Sequence, residues 1–324
     1  MTAMTRPEVA DHLVSPKVSV VCIIYNSMAY LPQTVASVLA QSFGDFELIL
    51  VDDGSSDNVA EWAATLTDPR ISFVSQLNQG IPGARNTGIA HARGLYIAFL
   101  DGDDLWDASK LEQQVERLDH SPNVGLVYTH LELIDAHNNY IGRSQTMNAE
   151  GDVLSTILVS NFIGSGSSPM VRKRCFDELG VFCRESTLAW CDDWDMWVRI
   201  AAHYDFAVIK EPLTCYRLHA GGASTGVKQL VSLVPAIVER IYQNVPSRYL
   251  YLRTRTYGTF YLYLALRALE TRDFSTAAFL IARVLNHKVS LRWLRSAGQI
   301  GLTMTAQQSS LKLTQFREQW RHRR

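Results

Sequence analysis

The chain has 324 residues, 47% of them hydrophobic and 19% charged, with a net charge of −1. That composition excludes a disordered chain. Five cysteines (Cys22, Cys175, Cys183, Cys191 and Cys215) contain no C-x-x-C pair, so a complete disulfide framework and a zinc ribbon are excluded and a reducing cytoplasm is expected.

Positions 1–17 are polar, carry Pro7, Asp11 and Pro16, and lack the apolar core of a signal peptide. Residues 1–16 are expected to be a flexible start. No uninterrupted apolar run reaches the ~18 residues of a membrane span, so the chain is expected to be soluble or peripheral.

Val18 to Tyr25 (VSVVCIIY) is an apolar, β-branched run and predicts a buried strand. Leu31 to Gln41 has helical spacing, with Pro32 tolerated in the first turn. Phe46 to Val51 predicts a second strand, followed by the turn 52–57 (DDGSSD) and a helix over Val59 to Leu66. Ile71 to Ser75 predicts a third strand, Gly80 to Ala92 a loop and helix, and Leu95 to Leu100 a fourth strand. Ser109 to Leu118 predicts a helix and Val124 to Tyr128 a fifth strand. Such alternation implies a parallel sheet covered on both faces, with ligands beyond the carboxyl ends of the strands.

Beyond Asp135 the pattern loosens, and Gly164-Ser165-Gly166-Ser167-Ser168 predicts a flexible loop. Trp194 to His203 predicts a helix, and Phe206 to Lys210 and Leu213 to Leu218 predict short strands. From Val227 the chain is expected to be helical, with a helix pair over Tyr257 to Glu270 and Phe274 to Leu285 joined at Arg272-Asp273. Charge divides along the same line. Positions 240–324 hold 15 Lys and Arg against 3 Asp and Glu, which leaves 16 against 29 for positions 1–239. A basic end suggests an anionic partner.

Three polar clusters fall at the predicted strand ends: Tyr25-Asn26, Asp52-Asp53 and Asp101 to Asp104. The last is the most informative, with three carboxylates in four positions after an apolar strand. Oxygen ligands at that density suit Mg²⁺ or Mn²⁺, which bind through one or two carboxylates plus substrate phosphates. One Asp would be an ordinary helix cap; three point to a metal site. Asp52-Asp53-Gly54-Ser55 alone is a common turn, but beside the first cluster it offers an acceptor for a base N–H or a ribose hydroxyl. Gly80 to Gly88 is glycine-spaced without being G-x-G-x-x-G or a P-loop; it is either a helix entry or a segment placing Arg85 near a diphosphate.

Asp192, Asp193 and Asp195 lie in a segment with Trp190, Trp194 and Trp197. The acids could simply open a helix. Carboxylates beside apolar rings also have raised pKa values, which suits a general base, and aromatic faces stack on sugars. Arg217 is read as facing a phosphate, and His219 as a metal or phosphate contact unless it is structural.

Taken in order, SVVCIIYN (19–26), LILVDDGSSD (48–57), GARNTGIAHARGLYIAFLDGDDLW (83–106), CDDWDMWVRIA (191–201) and YRLH (216–219) resemble the family 2 glycosyltransferases. The resemblance covers Lys17 to Thr225. It implies an α/β GT-A fold, a Rossmann-like nucleotide-diphospho-sugar transferase domain over 17–226, with a basic α-helical C-terminal region over 227–324. It also implies transfer of a sugar, with inversion, from a nucleotide-diphosphate sugar (UDP-sugar by expectation) to a hydroxyl of a glycan or lipid-linked acceptor, as in polysaccharide synthesis. Carried over, Tyr25 lies by the base, Asp53 accepts its N–H, Arg85 lies near the ribose or diphosphate, and Asp101 lies near the ribose hydroxyls. Asp101 and Asp103 form the D-x-D motif, with Asp103 as direct Mg²⁺ or Mn²⁺ ligand and His219 as a further one. Asp193 is the general base, and Asp192 stands where the family has Glu. The Q-x-x-R-W motif of processive members is absent, which implies single-sugar transfer.

No nucleic-acid partner is expected. The mixed aromatic, Leu and Arg content of Tyr249 to Arg267 and Leu291 to Arg295 suggests peripheral contact with an anionic membrane through 240–324, on the cytoplasmic face of the plasma membrane. The alternative is that these helices pack on the catalytic domain or form a homo-oligomer. Two other functions stay open: a nucleotidyltransferase, disfavoured because Asn26-Ser27-Met28 replaces its glycine-rich loop, and a catalytically dead sugar-nucleotide or glycan-binding module.

Overall fold

The computed structural model describes residues 15–144, 147–185, 188, 191–219 and 227–287. The first half alternates β1 (Val18–Ile24), α1 (Leu31–Leu39), β2 (Phe46–Asp52), α2 (Val59–Ala63), β3 (Ile71–Ser75), α3 (Gly80–His91) and β4 (Tyr96–Asp101). β1 lies between β2 and β4 and is parallel to both, with Ile24 opposite Asp52 and Ile23 opposite Asp101. The strands therefore end level with one another, and the polar residues that follow share one edge. β1 is apolar but for Ser19, which donates to Glu47 at 2.6 Å, and both of its faces are covered. Val21 and Ile23 join one core cluster, and Val18, Val20, Cys22 and Ile24 join the other. α3 presses on the first face. A Cβ on Gly88 would stand 2.1 Å from Val21 Cγ1, so only glycine allows that approach.

The second half holds β5 (Leu105–Trp106), α4 (Lys110–Asp119), β6 (Val124–Asp135), β7 (Tyr140–Ser144), α5 (Leu154–Val159), β8 (Met170–Arg172), α6 (Lys173–Leu179), α7 (Asp192–Ala201) and β9 (Asp205–Leu218). Here the all-parallel expectation is corrected. The sheet order is β3-β2-β1-β4-β8-β6-β9-β5, with β7 on β6. β8 runs antiparallel between β4 and β6. Because β8 opposes β4, its entering loop, 164–169, arrives where β4 ends. β9 is parallel to β6 and is one strand, not two. A register shift beside Thr129/Leu131 absorbs Pro212, which cannot donate to a ladder.

The helical end comprises α8 (Val227–Tyr242), a 3₁₀ turn (Ser247–Leu252), α9 (Arg253–Glu270) and α10 (Phe274–Asn286). Arg272 takes the left-handed turn at φ 57°, and Asp273 caps α10 by accepting the Thr276 N–H at 3.1 Å. These helices pack on the sheet domain. Trp194 meets Phe260 edge-on at 5.6 Å, and Thr256 Oγ1 donates to the Leu158 carbonyl at 2.8 Å. One buried cluster contains Phe99, Trp194, Ile237, Phe260 and Leu280. No helix among the described residues is long and apolar enough to cross a membrane. Positions 1–14, Trp190, Gly221 to Ser224 and Leu291 to Arg295 lie outside the described residues.

Candidate active site

The loop after β4 has a buried polar frame beneath it. The Asp101 N–H donates to Ser167 Oγ at 3.0 Å, and Ser167 Oγ donates to Asp104 Oδ2 at 2.5 Å. Asp104 Oδ1 accepts the Arg217 N–H at 2.9 Å. Asp104 is fully buried, and burial with its neighbouring carboxylates raises its pKa well above the usual range. It thus belongs to the frame. Asp101 and Asp103 are more open. Burial pushes Asp101 up to about 6 against the pull of Arg85.

Asp103 Oδ2 lies 2.8 Å from His219 Nε2, so the end of β9 returns to the loop after β4. Tyr30 packs on His219 with ring centroids 4.8 Å apart. Arg217 does not face an open phosphate site, contrary to expectation. It donates from Nε to the Asp103 carbonyl at 2.6 Å and from Nη1 to the Asp135 carbonyl at 3.2 Å, with its guanidinium over Tyr30. It acts as a buried post under the loop.

On the other side of β1, Asp53 Oδ1 accepts Gln76 Nε2 at 2.7 Å and the Gln79 N–H at 2.8 Å. Asp52 is occupied by Ser55 N–H and Ser75 Oγ, both at 3.0 Å. Tyr25 leaves β1 with its side chain 57% exposed. Asn26, left-handed at φ 51°, accepts the Ser56 N–H at 2.8 Å and ties the two strand-end loops together.

α7 begins at the acids. Asp192 Oδ2 accepts Arg85 Nη1 at 3.0 Å, and Arg85 Nη2 lies 3.6 Å from Asp101 Oδ1. Arg85, expected near the ribose or diphosphate, is 5% exposed and is directed at these carboxylates. Asp193 is half-buried. Its Oδ2 accepts Asn161 Nδ2 at 3.2 Å, and burial followed by the Asp192 charge pushes it up to about 6. Asp195 faces away into structure, bonded to Arg199 Nε at 3.0 Å and Arg240 Nε at 3.3 Å. The tryptophans also differ from expectation. Trp194 and Trp197 are 5% and 1% exposed, and Trp194 Nε1 donates to the Ile157 carbonyl at 2.6 Å. These two rings are core, so they are unavailable to stack on a sugar.

Sequence reasoning missed Ser167 and Asn161. The Gly164 to Ser168 stretch, expected to be flexible, is built into the site: Ser165, Ser167 and Ser168 are buried, and a Cβ on Gly166 would stand 2.2 Å from Arg85 Nη2. The G-S-G-S-S composition was the available signal, since small residues permit close backbone approach.

The donor set can be tested for a divalent ion. Among the described residues no cluster of three or more His, Cys, Asp or Glu side chains is arranged to hold one. Asp101 Oδ1 is buried without a hydrogen-bond partner, and Asp103 with His219 offers one oxygen and one nitrogen donor. This partial set fits an ion that takes its remaining ligands from phosphates and water.

The profile of Glycosyl transferase family 2 matches residues 19–180. An uncharacterized glycosyltransferase of Nostoc sp. is 39% identical over 155 residues, 47% of this chain and 47% of that protein. The UDP-Glc:alpha-D-GlcNAc-diphosphoundecaprenol beta-1,3-glucosyltransferase WfgD of Escherichia coli is 36% identical over 127 residues, 39% of this chain and 49% of that protein. The matched segments thus span about half the length of these relatives. Among solved structures, the mannosyltransferase PcManGT from Pyrobaculum calidifontis, in complex with GDP-Man and Mn²⁺, superposes with a TM-score of 0.59. That match covers 93% of this chain and 87% of that one at 20% identity, a likeness of fold.

Proposed function

Because this chain belongs to glycosyltransferase family 2 and has the GT-A fold, we propose that it transfers a sugar from a nucleotide-diphosphate sugar to an acceptor hydroxyl. The observation that carries this reading is the convergence of Asp101, at the end of β4, and Asp192, at the start of α7, on one buried cation, Arg85. One carboxylate group then serves the donor and the other the acceptor.

In this reading Tyr25 and Asp53 receive the nucleotide, and Asp101 lies toward the ribose. Asp103, Asp101 and His219 are the residues that would hold Mg²⁺ or Mn²⁺. When bound, such an ion neutralises diphosphate charge. Asp193 takes the proton from the acceptor hydroxyl as that oxygen bonds to the anomeric carbon. The bond from that carbon to the diphosphate oxygen breaks on the opposite face, so the configuration inverts. Asn161 holds the base carboxylate, and the core position of Trp194 fixes the helix end that presents it.

The relative named for UDP-Glc supports a UDP-sugar, and its diphosphoundecaprenol acceptor supports a lipid-linked glycan. A lipid-linked acceptor agrees with peripheral contact of the 240–324 region with an anionic cytoplasmic bilayer. On this reading residues 17–226 form the catalytic unit and 227–324 its basic helical extension.

The test is thermal shift of the purified chain with UDP-glucose, UDP-N-acetylglucosamine and GDP-mannose, each with Mn²⁺ and with EDTA. A metal-dependent rise for one donor is expected, followed by release of its nucleoside diphosphate when acceptor is added. A folded protein that binds none of the three would sink the proposal.

A further inference from the structure

Arg85 is held more tightly than a donor contact needs to be. Its two Nη groups reach carboxylates at the end of β4 and the start of α7, at 3.6 Å from Asp101 Oδ1 and 3.0 Å from Asp192 Oδ2. Its Nε is buried without a hydrogen-bond partner, so the two carboxylates set its orientation. From this geometry we infer that Arg85 is a positioning residue, a strut that sets the distance between the donor-binding loop after β4 and the acceptor-activating end of α7. The inference rests on the transferase reading above and deepens it.

Three further contacts keep the strut rigid. Backbone at Gly166 closes on the guanidinium so nearly that a Cβ there would stand 2.2 Å from Nη2. The Phe182 ring lies beneath, with its centroid 5.3 Å from the guanidinium carbon. Asn86, the next residue, bonds the Phe182 backbone in both directions, accepting its N–H at 2.9 Å and donating to its carbonyl at 2.8 Å. Arg85 and Asn86 therefore both grip elements on the acceptor side. α3, which carries them, is itself seated on β1 at Gly88. The path β1, α3, Arg85, α7 consists of packed regular elements, so a displacement at either end is transmitted to the other.

A planar guanidinium can hold two carboxylates at once, whereas an ammonium is a point charge on a flexible stem. A lysine at this position keeps the charge but loses the fixed span. A misplacement of ~1 Å at reacting groups is enough to cost about 10²-fold in rate. A strut that fails should therefore lower turnover while donor affinity persists.

The experiment compares the full-length wild type with Arg85→Lys and with Gly166→Ala, using UDP-glucose and Mn²⁺ as the donor probe. Calorimetry reads donor Kd, UDP release with a GlcNAc-diphospho-lipid acceptor reads kcat, and thermal melting reads the fold. Both variants should lose about 10²-fold in kcat with donor Kd changed by less than about 3-fold and a cooperative melt retained. In the Arg85→Lys background, Asp192→Asn should cost little more, since the link it shares is already broken. Gly166→Ala, which keeps arginine at position 85 but displaces its guanidinium, decides the matter if Arg85→Lys does not fold. Donor Kd weakened more than about tenfold with kcat unchanged would make Arg85 a donor contact and overturn the inference. Unchanged kcat in an active enzyme would overturn it alone. If the wild type binds UDP-N-acetylglucosamine or GDP-mannose instead of UDP-glucose, the same comparison is run with that donor; a wild type that binds none of the three would overturn the transferase reading and the strut with it.

Discussion

A general base has to be ionised enough to accept a proton and basic enough to keep it, and Asp193, the base of the proposed mechanism, lies between those demands. Burial and the adjacent Asp192 charge raise it to about 6, while Asn161 donates to its carboxylate. Ionisation should then control turnover. Between pH 7 and pH 5 the carboxylate fraction falls from about nine-tenths to about one-tenth, so kcat/KM should drop by roughly tenfold or more, Asp101 titrating over the same range. A flat kcat/KM profile across that range would remove Asp193 from the role. Asp193→Asn keeps the shape and loses the base, so kcat should fall by about 10²–10⁴-fold with donor binding intact, as read by calorimetry. At this scale the carboxylate clusters were legible, because acids directly after apolar strands are a local pattern. The tryptophans beside them were misread. Trp194 and Trp197 are spaced i, i+3, and that helical period turns both onto the core.

At the scale of elements, strand direction decides what reaches the site. β8 runs against β4, so its entering loop delivers Ser167 to the Asp101 backbone and to Asp104. Ser167→Ala would strand a buried carboxyl group and one N–H, which should cost about 1–3 kcal/mol and shift the urea midpoint down without changing the slope. An unchanged midpoint would mean that the frame is held by Arg217 alone. The sequence could suggest that 164–168 bends tightly. It could not show that this loop meets the residues after β4, because β8 has three residues and carries no directional pattern.

At the scale of the whole molecule, the helical end shares the catalytic domain's core. Phe260 on α9 is buried against Trp194 on α7, whose first turn holds Asp192 and Asp193. Phe260→Ala should cost about 3–5 kcal/mol in denaturant unfolding and lower turnover together with stability. Loss of neither would mean that α9 is a passive cover. The exposed surface of α10 is different. Phe274, Phe279, Ile281 and Leu285 are all exposed, with Phe274 at 67% and Leu285 at 62%, and Arg283 is the one charged residue in the helix. Phe274, Ile281 and Leu285 share one side of the helix and Phe279 with Arg283 the other, and exposed apolar residues with a basic one suit the surface of an anionic bilayer. The full chain should float with vesicles containing phosphatidylglycerol, and Ile281→Glu with Leu285→Glu should reduce that flotation several-fold, an effect weakened by salt. Equal flotation of wild type and variant would assign the contact to another surface.

The sequence by itself determined the strands and helices of the first half and the presence of acids at two of the strand ends. These follow from local patterns: apolar runs of strand length, turn residues, and carboxylates at strand ends. Tertiary structure alone decided that β8 inserts antiparallel, that Arg85 joins Asp101 to Asp192, that Arg217 is a post under the loop, and that α9 closes the core behind α7. Each of these is a contact between residues far apart in the chain. Such contacts form because buried charges need partners and apolar faces need cover, and many sequence neighbours could supply either. Which one does so is settled only when the whole chain packs.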